Sequence, residues 1–214
     1  MSLQLDTLAA LSNFILAAPR KADRRIVALA GAPGSGKSTL AERLADSLRQ
    51  RDVSAQVVPM DGFHLDNPIL KDLELLERKG APETFDVQGF VRLVAALGSG
   101  VSVYYPLFDR SRDLAVAGAG VLDADCDTVI VEGNYLLLDA PHWRDLSQIW
   151  DVRINLSVPL TVLRERLTQR WLTAGLAPEL ARARADGNDL ANARFVLERS
   201  LPCDVVFKNM GSLD

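Results

Sequence analysis

The segment Gly31-Ala32-Pro33-Gly34-Ser35-Gly36-Lys37-Ser38 constrains this chain more than any other. It matches G-x-x-x-x-G-K-[ST] at every fixed position. The apolar, β-branched run Ile26-Val27-Ala28-Leu29-Ala30 precedes it and reads as a buried parallel strand. After it, Leu40, Leu44 and Leu48 recur at helical spacing. Strand, glycine loop and helix are the context in which this pattern cradles phosphate. Glycines at positions 31, 34 and 36 let backbone N–H groups approach an anion closely, and the following helix N-terminus adds its positive end. In that setting Gly31, Gly34, Ser35, Gly36, Lys37, Ser38 and Thr39 are the candidate nucleotide-binding residues. Lys37 is placed to bridge the β- and γ-phosphates, and the Ser38 hydroxyl to ligate Mg²⁺.

The whole chain sets broader limits. Its 214 residues suit one α/β domain, 1–214, with room for a small lid. A net charge of −4 argues against a general nucleic-acid or membrane-surface binder. Cys126 and Cys203 are far apart and form no C-x-x-C, so neither a disulfide framework nor a zinc site is expected, and a cytoplasmic setting fits. The sequence shows no basic leader or apolar span of membrane length.

Residues 3–18 read as an N-terminal helix within 1–20, and Arg20 to Arg25 as a solvated charged linker. Ala55 to Met60 reads as a second strand that delivers Asp61 at its carboxyl end, where doubly wound sheets bind ligands. There a carboxylate can take a proton from a substrate hydroxyl or hold water on Mg²⁺. His64 reads equally as a substrate contact or as an ordinary histidine. Asn67-Pro68 opens a helix ending near Gly80, and Asp86 caps the next one. Arg78 and Lys79 are either solvated or turned to an anionic substrate.

Val101 to Tyr105 reads as a short strand and Pro106 to Arg110 as a loop. Asp109 and Arg110 fit a surface ion pair or a pocket wall, and Tyr104 suits such a pocket. Thr128 to Val131 is the most β-branched run and reads as a central strand ending in Glu132, an acid placed to orient Mg²⁺ through water. Ile149 to Val158 reads as another strand. Pro159 opens a helix carrying Arg166 and Arg170 on one face; with Arg184 they fall in a lid over about 160–190, where guanidiniums would neutralise a phosphoryl group in transfer. Gly187-Asn188-Asp189 reads as a break before a last helix, Leu190 to Arg199. Cys203 to Phe207 reads as the final strand, with Asn209 beyond it near the nucleotide base.

With those residues in view, the chain resembles the small-molecule kinases that include uridine kinase, phosphoribulokinase and bacterial pantothenate kinase. The resemblance rests on Gly31 to Ser38, Met60-Asp61-Gly62-Phe63-His64, Thr84-Phe85-Asp86 before a helix, and the Val131-Glu132-Gly133 strand end. Met60 to Asp66, Lys79 to Asp86, Pro106 to Arg110 and Asn188 to Arg194 are similar to bacterial proteins labelled fructose transport system kinase. Uridine kinase's acceptor-pocket tyrosine pattern is absent, and His64 stands in its place. The resemblance implies a P-loop NTPase fold, three-layer α/β/α, with a mainly parallel sheet of about five strands and a helical lid. It implies Asp61 as base, Glu132 near Mg²⁺, Arg166 and Arg170 in the lid, and His64, Phe85, Asp109 and Arg110 at the acceptor pocket. The expected activity is transfer of the γ-phosphoryl group of ATP, with Mg²⁺, to a hydroxyl of a sugar, nucleoside or pantothenate-like alcohol. A homodimer is left open. The alternative is a nucleotide-dependent switch or binding module; the guanine-reading Asn-Lys-x-Asp motif of many switches is absent.

Overall fold

The computed structural model describes residues 2–208. In chain order its main elements are β1 (Leu3–Leu5), α1 (Leu8–Ala17), β2 (Arg25–Gly31), α2 (Lys37–Arg49), β3 (Ala55–Pro59), α3 (Asn67–Asp72), α4 (Val87–Leu97), β4 (Val103–Asp109), β5 (Leu114–Leu122), β6 (Thr128–Gly133), β7 (Val152–Ser157), α5 (Leu160–Thr173), α6 (Pro178–Arg184), α7 (Leu190–Arg199) and β8 (Val205–Lys208).

Six strands form one parallel sheet in the order β1-β8-β7-β2-β6-β3. Its two faces are read directly from β2. Val27 and Leu29 pack with Leu40, Leu44 and Leu48 of α2, Leu11 and Ile15 of α1, and Leu163 and Leu167 of α5. Ile26, Ala28 and Ala30 pack on the other side with Phe90, Val94 and Leu97 of α4 and with Trp143 and Trp150. The period-2 alternation of strand side chains makes the three layers. All of β2 and β6 is buried, as expected of central strands covered on both faces.

The fold is the three-layer one expected, with several differences. The sheet has six strands rather than about five, because Leu3–Leu5 pairs with β8 instead of opening the helix. Thr7, two residues beyond that strand, caps α1, its hydroxyl accepting the Ala10 N–H at 3.3 Å. Asp86 caps α4 as expected, accepting the Gly89 N–H at 2.8 Å.

Of the segment 106–110, only Arg110 is outside a strand. β4 runs through Asp109 and pairs antiparallel with β5 in a separate two-stranded ribbon. β5 has no counterpart in the sequence reading, since Ala115, Ala117, Gly118, Ala119 and Gly120 carry little strand propensity.

The charged linker is also not solvated at its end. Arg24 is 1% exposed and donates to five backbone carbonyls, those of Cys126, Leu97, Ser99, Val101 and Asp123. Arg25 is 5% exposed. Finally, Gly187-Asn188-Asp189 does not break the helix. Residues 185–189 form a π turn that joins α6 to α7.

Candidate active site

Parallel register brings the loop and both carboxylates to one end of the sheet. Glu132 lies opposite Leu29 of β2 on one side and Pro59 of β3 on the other. Neighbouring strands are about 4.8 Å apart, so Glu132 stands one strand from the glycine loop that leaves β2. It stands one strand, on the other side, from the segment that carries Asp61.

The loop is held in shape from several directions. Gly34 and Gly36 have φ of +76° and +88°, left-handed values that disfavour a side chain. A Cβ at Gly34 would sit 3.0 Å from Leu167 Cγ, so the loop packs directly on α5. Arg166 donates to the Ser35 carbonyl at 3.0 Å and braces the loop from the lid side. Lys37 and Ser38 then open α2, a helix of 13 residues whose first N–H groups face the loop's concavity.

Ser38 donates to Glu132 Oε1 at 3.2 Å. Glu132 is 5% exposed, and its other oxygen, Oε2, is buried without a hydrogen-bond partner in the structure. Burial raises its pKa, Lys37 opposes that, and the Asp61 charge adds to it. A buried carboxylate with one orphaned oxygen beside a serine hydroxyl fits a hard cation or its water shell. The described residues offer no group of three or more His, Cys, Asp or Glu able to hold a metal by themselves. Mg²⁺ therefore fits here only together with phosphate oxygens and water, its usual manner in phosphoryl-transfer sites.

Asp61 lies in a short 3₁₀ turn, Met60–Phe63, whose position is set by close backbone packing. A Cβ on Gly62 would lie 2.6 Å from the Pro106 carbonyl carbon of β4. A Cβ on Gly133 would lie 2.6 Å from Met60 Cβ. Two glycines thus press the turn against the ribbon and against the end of β6. Arg110 donates to Asp61 Oδ2 at 2.6 Å.

A cleft of about 610 Å³ opens above these groups. Gly34 and Lys37 line one side, and Asp61 and Asn134 its middle. The far wall is made by His64, Lys79, Phe108, Arg110 and Asp113, and the lid supplies Arg170, Trp171 and Arg184. His64 stacks on Phe85 with ring centroids 4.0 Å apart and touches Phe108 at 4.8 Å. Burial lowers its pKa to about 4, against the opposing pull of the Asp61 charge, so the imidazole is neutral at pH 7. Lys79 reaches Asn67 Oδ1 at 2.6 Å and Asp113 Oδ2 at 3.0 Å, with its ammonium 5.2 Å from the Phe108 ring centre. Tyr135 donates to the Gly80 carbonyl at 2.5 Å and pins the loop carrying Lys79.

The sequence-derived candidates therefore separate. Gly34, Lys37, Asp61, His64, Arg110, Arg170 and Arg184 line one cleft, with Ser38 and Glu132 joined beside it. Phe85 is 5% exposed and lies behind His64. Arg166 bonds the loop backbone and is not among the cleft-lining residues. Tyr104 is 72% exposed on the ribbon, away from the cleft. Asp109 also lies outside the lining. Hydrogen bonds from Ser111 and Arg112 hold its carboxyl well below the usual range, which makes it the cap of the ribbon turn. Asn209 falls outside the described residues.

Trp171, Asp113 and Asn134 line the cleft without having been singled out, and Asp189 and Asn192 line it from the stretch 188–194 that carried the resemblance but no site role. Position beside Gly133 and beside Arg170 was the available signal for Asn134 and Trp171. Nothing in the spacing marks Asp113, which depends on the unrecognised ribbon.

A parallel sheet with a phosphate-type loop, two carboxylates at adjacent strand ends and an arginine-bearing lid defines the class of P-loop phosphotransferases. The chain belongs to the phosphoribulokinase/uridine kinase family, whose pattern matches residues 26–170, and this membership supports a kinase function. It is 57% identical to a protein from Silicibacter sp. TM1040, provisionally named a fructose transport system kinase, whose crystal structure superposes with a TM-score of 0.91 over 94% of this chain and 98% of that one. It is 35% identical to a Schizosaccharomyces pombe protein provisionally named a uridine kinase, over 87% of this chain and 84% of the relative. Uncharacterized protein YggC of Escherichia coli K12 is 37% identical, over 86% and 77% respectively.

Proposed function

We propose that the protein is an ATP-dependent kinase that transfers a γ-phosphoryl group to a hydroxyl of a small molecule. The observation that carries this reading is a single cleft lined by Gly34 and Lys37 of the loop, by Asp61, and by Arg170 and Arg184 of the lid. In this reading the loop N–H groups and Lys37 grip the phosphates. Ser38 and Glu132 hold the metal and its water; Mg²⁺, when bound, supplies charge neutralisation at the phosphate oxygens.

Asp61 receives the acceptor hydroxyl and orients or removes its proton. Arg170 and Arg184 meet the charge that spreads over the phosphoryl oxygens during transfer. The acceptor rests against the neutral His64, Phe108 and Arg110, on a wall that mixes ring faces with the cations of Lys79 and Arg110 and the carboxylate of Asp113. Such a wall suits a sugar, a nucleoside or a pantothenate-like alcohol. The labels of the relatives are divided between a fructose-related and a uridine kinase. Closing the lid over this wall excludes water as a competing acceptor.

The test is an ADP-release assay screened over sugars, nucleosides and vitamin precursors, repeated with Asp61→Asn. Release that depends on an added alcohol, and that drops about 10²–10⁴-fold in the variant with ATP affinity kept, is the expected result. Equal turnover by the variant removes Asp61 from the chemistry, and slow acceptor-independent hydrolysis throughout points instead to a nucleotide switch.

A further inference from the structure

The π turn at residues 185–189 has no role in the mechanism above, yet it faces the cleft from inside the lid. Asp189 is 8% exposed. Its Oδ2 accepts the Trp171 indole N–H at 2.6 Å and faces Arg170 Nη2 at 3.5 Å. The Arg170 guanidinium lies 5.1 Å from the centre of the Trp171 ring. Arg170 is thus held by a carboxylate and by an aromatic face that the same carboxylate fixes.

The neighbouring residue points elsewhere. Asn188 donates to the carbonyl of Lys79, another residue of the cleft lining, at 3.0 Å. Asn192, one turn on, donates to Asn188 Oδ1 at 3.4 Å. A π turn adds a residue to the helical repeat and redirects the side chains around it. Here two consecutive residues reach in different directions, one to the lid arginine and one to the Lys79 carbonyl.

We propose that Asp189 is a positioning residue that aims Arg170 at the terminal phosphate, with Asn188 fixing the turn against the Lys79 loop. This rests on the kinase reading above. A freely moving arginine side chain pays rotamer entropy at each phosphate contact; one already held by Asp189 and Trp171 pays less. Packing alone does not require the charge, because an amide oxygen in place of Oδ2 still accepts the indole N–H.

The experiment compares ATP and ADP affinities, with Mg²⁺, by titration calorimetry, so it needs no identified acceptor. Wild type is expected to prefer ATP through Arg170. Asp189→Asn should lose about ten-fold of that preference, with ADP affinity unchanged. Arg170→Gln should lose a similar factor, and the double variant no more than either alone. Should Asp189→Asn fail to fold, Asp189→Glu keeps the charge, displaces it by one methylene and is expected to show the same loss. An unchanged ATP preference in the folded variant, or additive losses in the double variant, overturns the assignment of Asp189 while leaving the kinase reading intact. A wild type that binds no ATP overturns both.

Discussion

The sharpest structural demand at the candidate site falls on Gly62. A Cβ there meets the backbone of Pro106, at 2.6 Å from its carbonyl carbon, whereas ordinary contact begins near 3.4 Å. The neighbour is backbone within a strand, so no side chain can swing aside. The carbonyl oxygen of Pro106 is closer still, so either the 3₁₀ turn or the ribbon must retreat by more than about 0.8 Å.

Overpacking of this kind costs about 1–3 kcal/mol. For a chain of this size that corresponds to a fall of about 2–12 °C in melting temperature. Retreat of the turn, which holds Asp61, also carries that residue away from its place beside Glu132, and on the kinase reading misplacement of about 1 Å at a reacting group costs on the order of 10²-fold in rate. The assay pairs thermal unfolding with ADP release for Gly62→Ala, with Gly187→Ala as control, since a Cβ at Gly187 meets nothing within 4 Å. A Gly62→Ala protein that melts with wild type and turns over at the wild-type rate refutes the argument that this contact places Asp61.

Other expectations are more local. Asp86→Ala removes the cap of α4 and should lower stability by about 1 kcal/mol in urea unfolding. Arg24→Met removes the donor to five carbonyls at the amino end of the sheet, of which that of Asp123 keeps the Cys126 N–H, and should cost at least about 3 kcal/mol by the same measurement without entering the cleft. His64 has a folded pKa of about 4 against the ordinary 6.5, so the unfolded chain binds the extra proton between these values. Stability from neutral His64 is therefore full above pH 6.5 and is lost as pH falls towards 4. Urea midpoints at pH 7 and 4.5 should converge in His64→Gln relative to wild type, and equal pH slopes in the two proteins would contradict this.

Much of the nucleotide half was legible because it is local in sequence. The loop, its strand and its helix occupy one continuous stretch, and a β-branched run ending in Glu132 announces a buried strand with a charge at its tip. The other half depends on contacts distant in sequence. Asp113 and Phe108 face the cleft only because two runs pair as a ribbon, and the middle of β5, residues 117–120, is alanine and glycine with little strand propensity. Asp109 read as a surface ion pair or a pocket wall, and only the family resemblance put it at the pocket; its carboxylate is consumed by Ser111 and Arg112. Arg24 looked solvated because charge runs usually are, and only the converging carbonyls of distant segments explain its burial. The π turn was hidden for a related reason: Gly187 and Asn188 are residues that commonly stop helices, and docking of Asn188 on Lys79 keeps this one going.

The ribbon of β4 and β5 shares no ladder with the parallel sheet. It is moored by Tyr105 and Leu122, buried in the core on one face of the sheet, by Gly62 against Pro106, and by the Tyr105 hydroxyl, which donates to the Val57 carbonyl at 3.3 Å and accepts from Gln56 at 3.2 Å. Drift in its tip, around Arg110 to Asp113, can accumulate without disturbing the register that holds Lys37, Ser38 and Glu132 together. On the kinase reading proposed above, substitutions at these exposed positions would reshape the acceptor wall while leaving the phosphate-handling residues in register.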